Sequence, residues 1–224
     1  MKKNKFIEIL NLIRNEVREK ENGVSTSVES IDRVIELVEE NSFHTFEKQL
    51  EAGKTQHSFG LPLPPEVRSF KNPVVVFSDG ACRGNPGPGA WGAVAQINDD
   101  ELIFQKSGVQ FNTTNNQMEL LGAIEGLQTV ENEIDDIADR DILLISDSKY
   151  VIDGLKSWMT GWKKRGWRKS DGKAPENLKL WQQLDEVNTN LGGVHLFWVK
   201  GHSGHPQNEL CDQLANQALD EAGL

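Results

Sequence analysis

The chain has 224 residues, 24 Lys+Arg against 34 Asp+Glu, a formal charge of −10 and 37% apolar residues, with a pI near 5.0. That length suits one domain plus an appendage, since domains run about 100–200 residues; the acid excess excludes a uniformly basic surface for nucleic acid but not a local positive patch. No run approaches the ~20 apolar residues of a membrane span, and Cys82 and Cys211 lack zinc-type spacing and read as reduced thiols of a cytoplasmic protein.

In chain order, Phe6, Ile9, Leu10, Ile13 and Val17 recur at helical spacing within residues 5–20. Glu8, Asn11 and Arg14 interrupt any signal-peptide core there. Thr26-Ser27-Val28-Glu29 is a capping-box pattern ahead of Ile31, Val34, Ile35 and Val38, and a third helical piece around 43–52 ends at Gly53. His44 and His57 have no ligand neighbours at metal spacing. GLPLPPE at 60–66 breaks the periodicity. The reading is a helical module over 1–59, a Pro-rich linker over 60–72 and a separate domain over 73–224.

From residue 73 the pattern is strand (73–79), loop, strands at about 90–98 and 102–110, a helix at about 115–130, strand ILLIS (142–146), helices, strand VHLFWV (194–199) and a last helix from about 206. Three successive strands suggest an antiparallel meander and the later alternation suggests parallel additions. The fold class is therefore α/β with a mixed five-stranded sheet flanked by helices, carrying an N-terminal helical appendage. The stretch SDGACRGNPGPGAWG (78–92) is either a tight hairpin connection or a loop that lets a ligand approach its backbone beside Asp79.

Four carboxylates stand out by position. Asp79 and Asp147 are expected at the ends of neighbouring strands. Glu119 flanks a stripe of Met118, Leu121 and Ile124, and Asp212 flanks one of Leu210, Leu214 and Ala218. Singly, each reads as a solvated flank; jointly they describe an all-oxygen site suited to Mg²⁺ or Mn²⁺, because like charges at close range need a cation between them.

SDGACRGNPGPGAWG, TTNNQMEL, SDSKYV, WKKRGW and VKGHSGHPQNELCDQLA, in this order, resemble the type 1 ribonuclease H family in its bacterial form over roughly residues 73–222. The resemblance implies a ribonuclease H-like fold and an endonuclease that cuts the RNA strand of an RNA–DNA hybrid with two divalent ions, Mg²⁺ or alternatively Mn²⁺. Carried over by position, Asp79, Glu119, Asp147 and Asp212 match the family's metal-binding acids. Glu209 matches an acid near the second metal, and His202 matches the catalytic histidine; His205 reads as an ordinary loop residue. None of the acids is missing, which argues against a binding module that has lost cleavage.

For the substrate, Asn85, Asn115 and Asn116 match loops that contact the hybrid, and amides suit the 2′-hydroxyl that distinguishes RNA. Thr114 matches a residue holding a DNA phosphate, and Lys149 stands where the family often has glutamine. The segment 157–173 resembles the family's basic protrusion. There Lys163, Lys164 and Arg165 would meet phosphates and Trp162 and Trp167 would pack on sugars; Trp158 and Trp162, four apart, read equally as a core pair. Residues 1–72 have nearly balanced charge and no Trp or Tyr, which suits protein interaction or self-association through 1–59 better than hybrid binding.

Overall fold

Val74 through Phe77 are inaccessible to solvent on both faces of β1 (Pro73–Cys82). The cause is position in the sheet. β2 (Gly87–Asn98) and β3 (Glu101–Thr113) follow antiparallel on one side, while β4 (Asp141–Ser146) and β5 (His195–Trp198) join in parallel on the other, giving the order β3-β2-β1-β4-β5. The computed structural model describes residues 61–98, 101–201 and 204–224. The helices expected at 5–20, 26–38 and 43–52, with His44, His57 and the proposed module 1–59, lie outside the described residues.

The strand period of two sorts the VVVF run. Val74 and Val76, with Ile142 and Leu144, meet Leu120, Ile124 and Leu127 of α1 (Asn115–Glu133) and Trp181 and Leu184 of a later helix (Leu178–Asn190). Val75 and Phe77, with Leu143 and Ile145, meet Cys211 of the last helix (Pro206–Glu221). Between these lie α2 (Lys149–Asp153), one π-helical turn (Gly154–Trp158) and α3 (Met159–Lys164), so the last two helices are α4 and α5. α1 begins with a capping box: the Thr114 hydroxyl accepts from the Gln117 N–H at 3.4 Å and Gln117 Oε1 accepts from the Thr114 N–H at 3.0 Å, satisfying two groups that a helix start otherwise leaves open.

Two buried stripes are rotated from expectation. On α1 the buried residues include Met118, Glu119, Leu120 and Ile124, while Leu121 turns to a cleft it shares with Gln117 and Asn177. On α5 they are Gln207, Asn208, Cys211, Ala215 and Leu219, with Leu210 and Leu214 half-buried. The second rotation has a steric reason. A side chain at Gly92 of β2 would overlap the Cys211 carbonyl oxygen and lie 2.9 Å from its carbonyl carbon, so α5 docks through small residues with its backbone nearly on the sheet.

The Pro-rich run expected as a linker is instead packed against the domain from Leu61 onward. Leu63 and Val67 are 8% and 2% exposed within the cluster of Val75, Phe77, Leu143 and Ile145. Pro65–Ser69 forms a 3₁₀ turn, and the Phe70 ring lies 4.6 Å from that of His195. Prolines carry no N–H to strand in an apolar setting, which lets such a segment cover a sheet face. Burying a Leu or Val side chain stabilises by roughly 1.5–3 kcal/mol.

Gly92→Ala is expected to force α5 off β2 and lower stability by about 1–3 kcal/mol, the usual cost of overpacking. Urea unfolding of the full chain measures it; an unchanged midpoint contradicts the close docking.

Candidate active site

The parallel pairing of β1 with β4 ends at Ser78↔Ser146. The next residue of the chain in each case is a carboxylate, Asp79 within β1 and Asp147 just past the end of β4, so two neighbouring backbones deliver them side by side. β1 itself does not end there, as the sequence led us to expect. It continues antiparallel to β2 through Asp79↔Gly92 to Cys82↔Gly89, and the glycine-rich stretch is mostly strand, with its turn confined to Arg83–Pro86. Pairing with β2 overrides the poor strand propensity of glycine.

Gly80 admits the third acid. A Cβ there would lie 2.5 Å from the Glu119 amide nitrogen and 2.8 Å from the Met118 carbonyl carbon, so the first turns of α1 rest directly on β1. Glu119 is thereby brought over Asp79. Asp79, Glu119 and Asp147 each offer one carboxylate oxygen, all within 4.8 Å of one another.

These acids are held against their electrostatic preference. Burial, then the Asp147 charge and Asp212, push the Asp79 carboxyl from 3.8 to about 7, opposed by the Gly80 N–H donating to Oδ1 at 2.7 Å. Burial, then Asp79 and Asp147, hold Glu119 well above the usual carboxylate range, opposed by Asn115 Nδ2 donating at 3.3 Å. Glu119 Oε2 is buried with no hydrogen-bond partner among the described residues. An orphaned buried oxygen beside two further carboxylates is the donor set a hard divalent cation satisfies. Asp147 is oriented from two sides: Asn208 Nδ2 donates to its Oδ2 at 3.2 Å and the Trp198 indole donates to its backbone carbonyl at 2.9 Å.

The remaining expected residues separate. Asp212 is half-buried on α5, its Oδ1 accepting from Asn216 at 2.9 Å; its charge reaches Asp79, but it stands outside the three-carboxylate group. Glu209, exposed in the first turn of α5, also lies outside that group. His202 is not among the described residues. Asn85 Oδ1 accepts from the Asn115 N–H at 3.3 Å, which ties the β1–β2 turn to α1, and Asn116 is exposed beside it. Lys149 Nζ sits 4.8 Å from the centre of the Trp198 ring.

In the basic segment Lys164 and Arg165 are exposed and Lys163 is paired with Asp185 at 2.7 Å. Trp167 is half-buried. Trp162, expected to meet substrate, is only 9% exposed and packs edge-on against Trp181 at 5.5 Å, so it is mainly a core residue, whereas Trp158 is 38% exposed. Asn208 was not singled out from sequence. Its signal is the spacing of four from Asp212, which puts both on one flank of α5.

The sign of the pH dependence follows from Asp79. Its carboxyl is raised in the folded chain, so the stability gained with that group protonated is fully present below about 3.8 and lost as pH rises through about 7. Without divalent ions, Asp79→Asn is expected to be more stable than the parent at pH 8 by about 2–4 kcal/mol. The difference should vanish near pH 4, and added Mg²⁺ should narrow it by stabilising the parent. Thermal unfolding with chelator and with Mg²⁺ measures this; a variant less stable at pH 8 contradicts it.

The RNase H family matches residues 71–220 of the chain. The ribonuclease H of Alcanivorax borkumensis is 46% identical over 148 residues, 66% of this chain and 92% of that protein. That of Rhizobium meliloti is 48% identical over 149 residues, 66% of this chain and 90% of that protein. The crystal structure of RNase H1 from Halobacterium salinarum superposes with a TM-score of 0.52 at 31% identity, covering 66% of this chain and 98% of that one. The mixed five-stranded sheet, the acid cluster and these relatives agree: the chain belongs to the type 1 ribonuclease H family and is a ribonuclease H enzyme.

Proposed function

We propose that this enzyme hydrolyses the RNA strand of RNA–DNA hybrids at the Asp79–Glu119–Asp147 cluster, leaving 3′-hydroxyl and 5′-phosphate ends and using two divalent ions, Mg²⁺ with Mn²⁺ as the alternative. The observation that carries the reading is the set of three carboxylate oxygens within 4.8 Å, one of them on a residue whose second oxygen is buried without a partner among the described residues. When bound, the ions supply activation of the attacking water and neutralisation of charge on the leaving oxygen.

The chain's own residues hold and aim this chemistry. Asp79, Glu119 and Asp147 would supply hard oxygen ligands, and Asp212, whose charge reaches Asp79 from α5, would help hold the second ion together with Glu209 of the same helix. Asn115 and Asn208 fix the Glu119 and Asp147 carboxylates by the hydrogen bonds already described. His202, with an imidazole pKa ordinarily near 6.5, moves a proton or assists product departure.

The hybrid is recognised around this centre. Asn85, Asn115 and Asn116 line the turn and helix start beside Glu119, where amides pair with 2′-hydroxyls. Thr114 and Lys149 meet backbone phosphates, and Lys164, Arg165 and Trp167 extend the contact along the duplex. Trp162 contributes by packing, given its burial, and Lys163 contributes less because Asp185 already neutralises it. A local positive segment on a chain of charge −10 directs the acidic substrate to one face. The domain division is 1–59, a protein-interaction module, with hybrid binding as its alternative, and a catalytic domain to 224; the setting is cytoplasmic. No helix among the described residues is long and apolar enough to cross a membrane.

With Mg²⁺, matched hybrid, RNA–RNA and DNA–DNA duplexes are expected to be cleaved only in the RNA strand of the hybrid. Asp147→Asn should lower turnover by more than about 10²-fold, the scale of losing one electrostatic contact to a transition state, with hybrid affinity retained. Cleavage of RNA–RNA at an equal rate, or full turnover in the variant, overturns the reading.

Lys164→Ala is expected to flatten the slope of log K against log salt for hybrid binding by about 0.9, the value for one phosphate contact on B-form DNA. Lys163→Ala should flatten it less. Fluorescence anisotropy at several salt concentrations reads both; unchanged slopes make the segment a solvated surface.

A further inference from the structure

The RNase H match begins at residue 71, yet the ten residues before it are built into the catalytic domain at a particular place. Gln207, in the first turn of α5, is fully buried. Its Nε2 faces the carbonyl oxygens of Leu61 and Pro62 at 3.2 Å each and Gln96 Oε1 at 3.3 Å. Gln96 in β2, also fully buried, donates from Nε2 to the same Leu61 carbonyl at 2.7 Å. Two amides from distant parts of the chain thus converge on two carbonyls of the proline-rich segment. Buried amides need partners; here Leu61 and Pro62 provide them for the Gln96 and Gln207 donors, while Gln207 Oε1 has none among the described residues.

The residue after Gln207 is Asn208, 3% exposed, whose Nδ2 donates to Asp147 Oδ2 at 3.2 Å. Gln207 and Asn208 share one helical turn, so whatever fixes the height and rotation of that turn fixes the Asn208 amide on the carboxylate. Leu63 and Val67, buried beneath the same segment, anchor it to Phe77 and Ile145 of the central strands.

We propose that Leu61–Ser69 is a strap that tunes the affinity of the acid cluster for divalent cations through Gln207, a positioning residue that holds Asn208 against Asp147. The strap is thus an added brace on the active site rather than a passive connection. This rests on reading the three acids as a cation site.

The test uses the full chain. Gln207→Met keeps the side-chain length and removes the donor; Gln207→Glu replaces the donor with an acceptor facing three oxygens; Val67→Ala loosens the strap without touching α5. Val130→Ala, in α1 against the opposite sheet face, is the control for lost stability alone. Calorimetric Mg²⁺ binding at pH 8 is measured with thermal unfolding and with kcat and KM on a hybrid.

Gln207→Met and Val67→Ala are expected to weaken Mg²⁺ binding about 3–10-fold, less than the ~10–100-fold typical of losing a partner of the ligand itself. Gln207→Glu should weaken it more, KM for the hybrid should stay unchanged, and high Mg²⁺ should restore kcat. Val130→Ala should lower the unfolding temperature with Mg²⁺ affinity intact. Mg²⁺ affinity unchanged in Val67→Ala and in whichever Gln207 variants fold overturns the strap inference alone. A parent chain that takes up no Mg²⁺ overturns the cation-site reading and the inference with it.

Discussion

Three carboxylates within 4.8 Å of one another repel, and burial raises the cost of ionising Asp79 and Glu119. Most of the surrounding architecture serves to hold that arrangement. Parallel pairing that stops at Ser78↔Ser146 delivers Asp79 and Asp147 from adjacent strands whose preceding residues are fully buried. Gly80 leaves out a side chain that would keep the first turns of α1, and Glu119 with them, away from β1. A site assembled against its own electrostatics relies on the stability of the rest of the fold, the common trade of stability for activity. Here the reserve is a sheet with apolar clusters on both faces.

The second face does more than cover the sheet. α5 comes close enough, across Gly92, for Asp212 to influence Asp79 and for Asn208 to reach Asp147. The proline-rich segment closes the same face and meets α5 at Gln207. Asp79 and Asp147 come where the pairing of the interior strands β1 and β4 ends, while Lys164 closes α3 and Arg165 follows it, on a chain whose overall charge is −10.

Much of this was legible in the sequence, for identifiable reasons. VVVF followed by SD, and ILLIS followed by D, are strand-to-acid patterns whose meaning depends only on local periodicity and neighbouring strands. Glu119 and Asp212 were found on the flanks of helical stripes, although the buried stripe of each helix is rotated: apolar spacing alone does not reveal that Cys211 can lie on a glycine. Glycine propensity misplaced the end of β1, because pairing with β2 carries the strand to Cys82. Trp158 and Trp162 share a spacing that fits core and substrate equally, and only packing against Trp181 separates them. The strap was illegible because prolines erase periodicity. Its partners, Gln96 and Gln207, lie 35 and 146 residues away from Leu61.

In the proposed cation site, the buried Asp79 and Glu119 carboxyls hold protons until an ion replaces them. The most direct measurement is a calorimetric titration of Mg²⁺ into the full chain near pH 6.5, repeated in two buffers of different ionisation enthalpy. The expected result is Mg²⁺ uptake with net proton release, which declines as the pH is raised through about 7, where the Asp79 carboxyl gives up its proton. Absence of uptake, or uptake with no protons released at any pH, would contradict it.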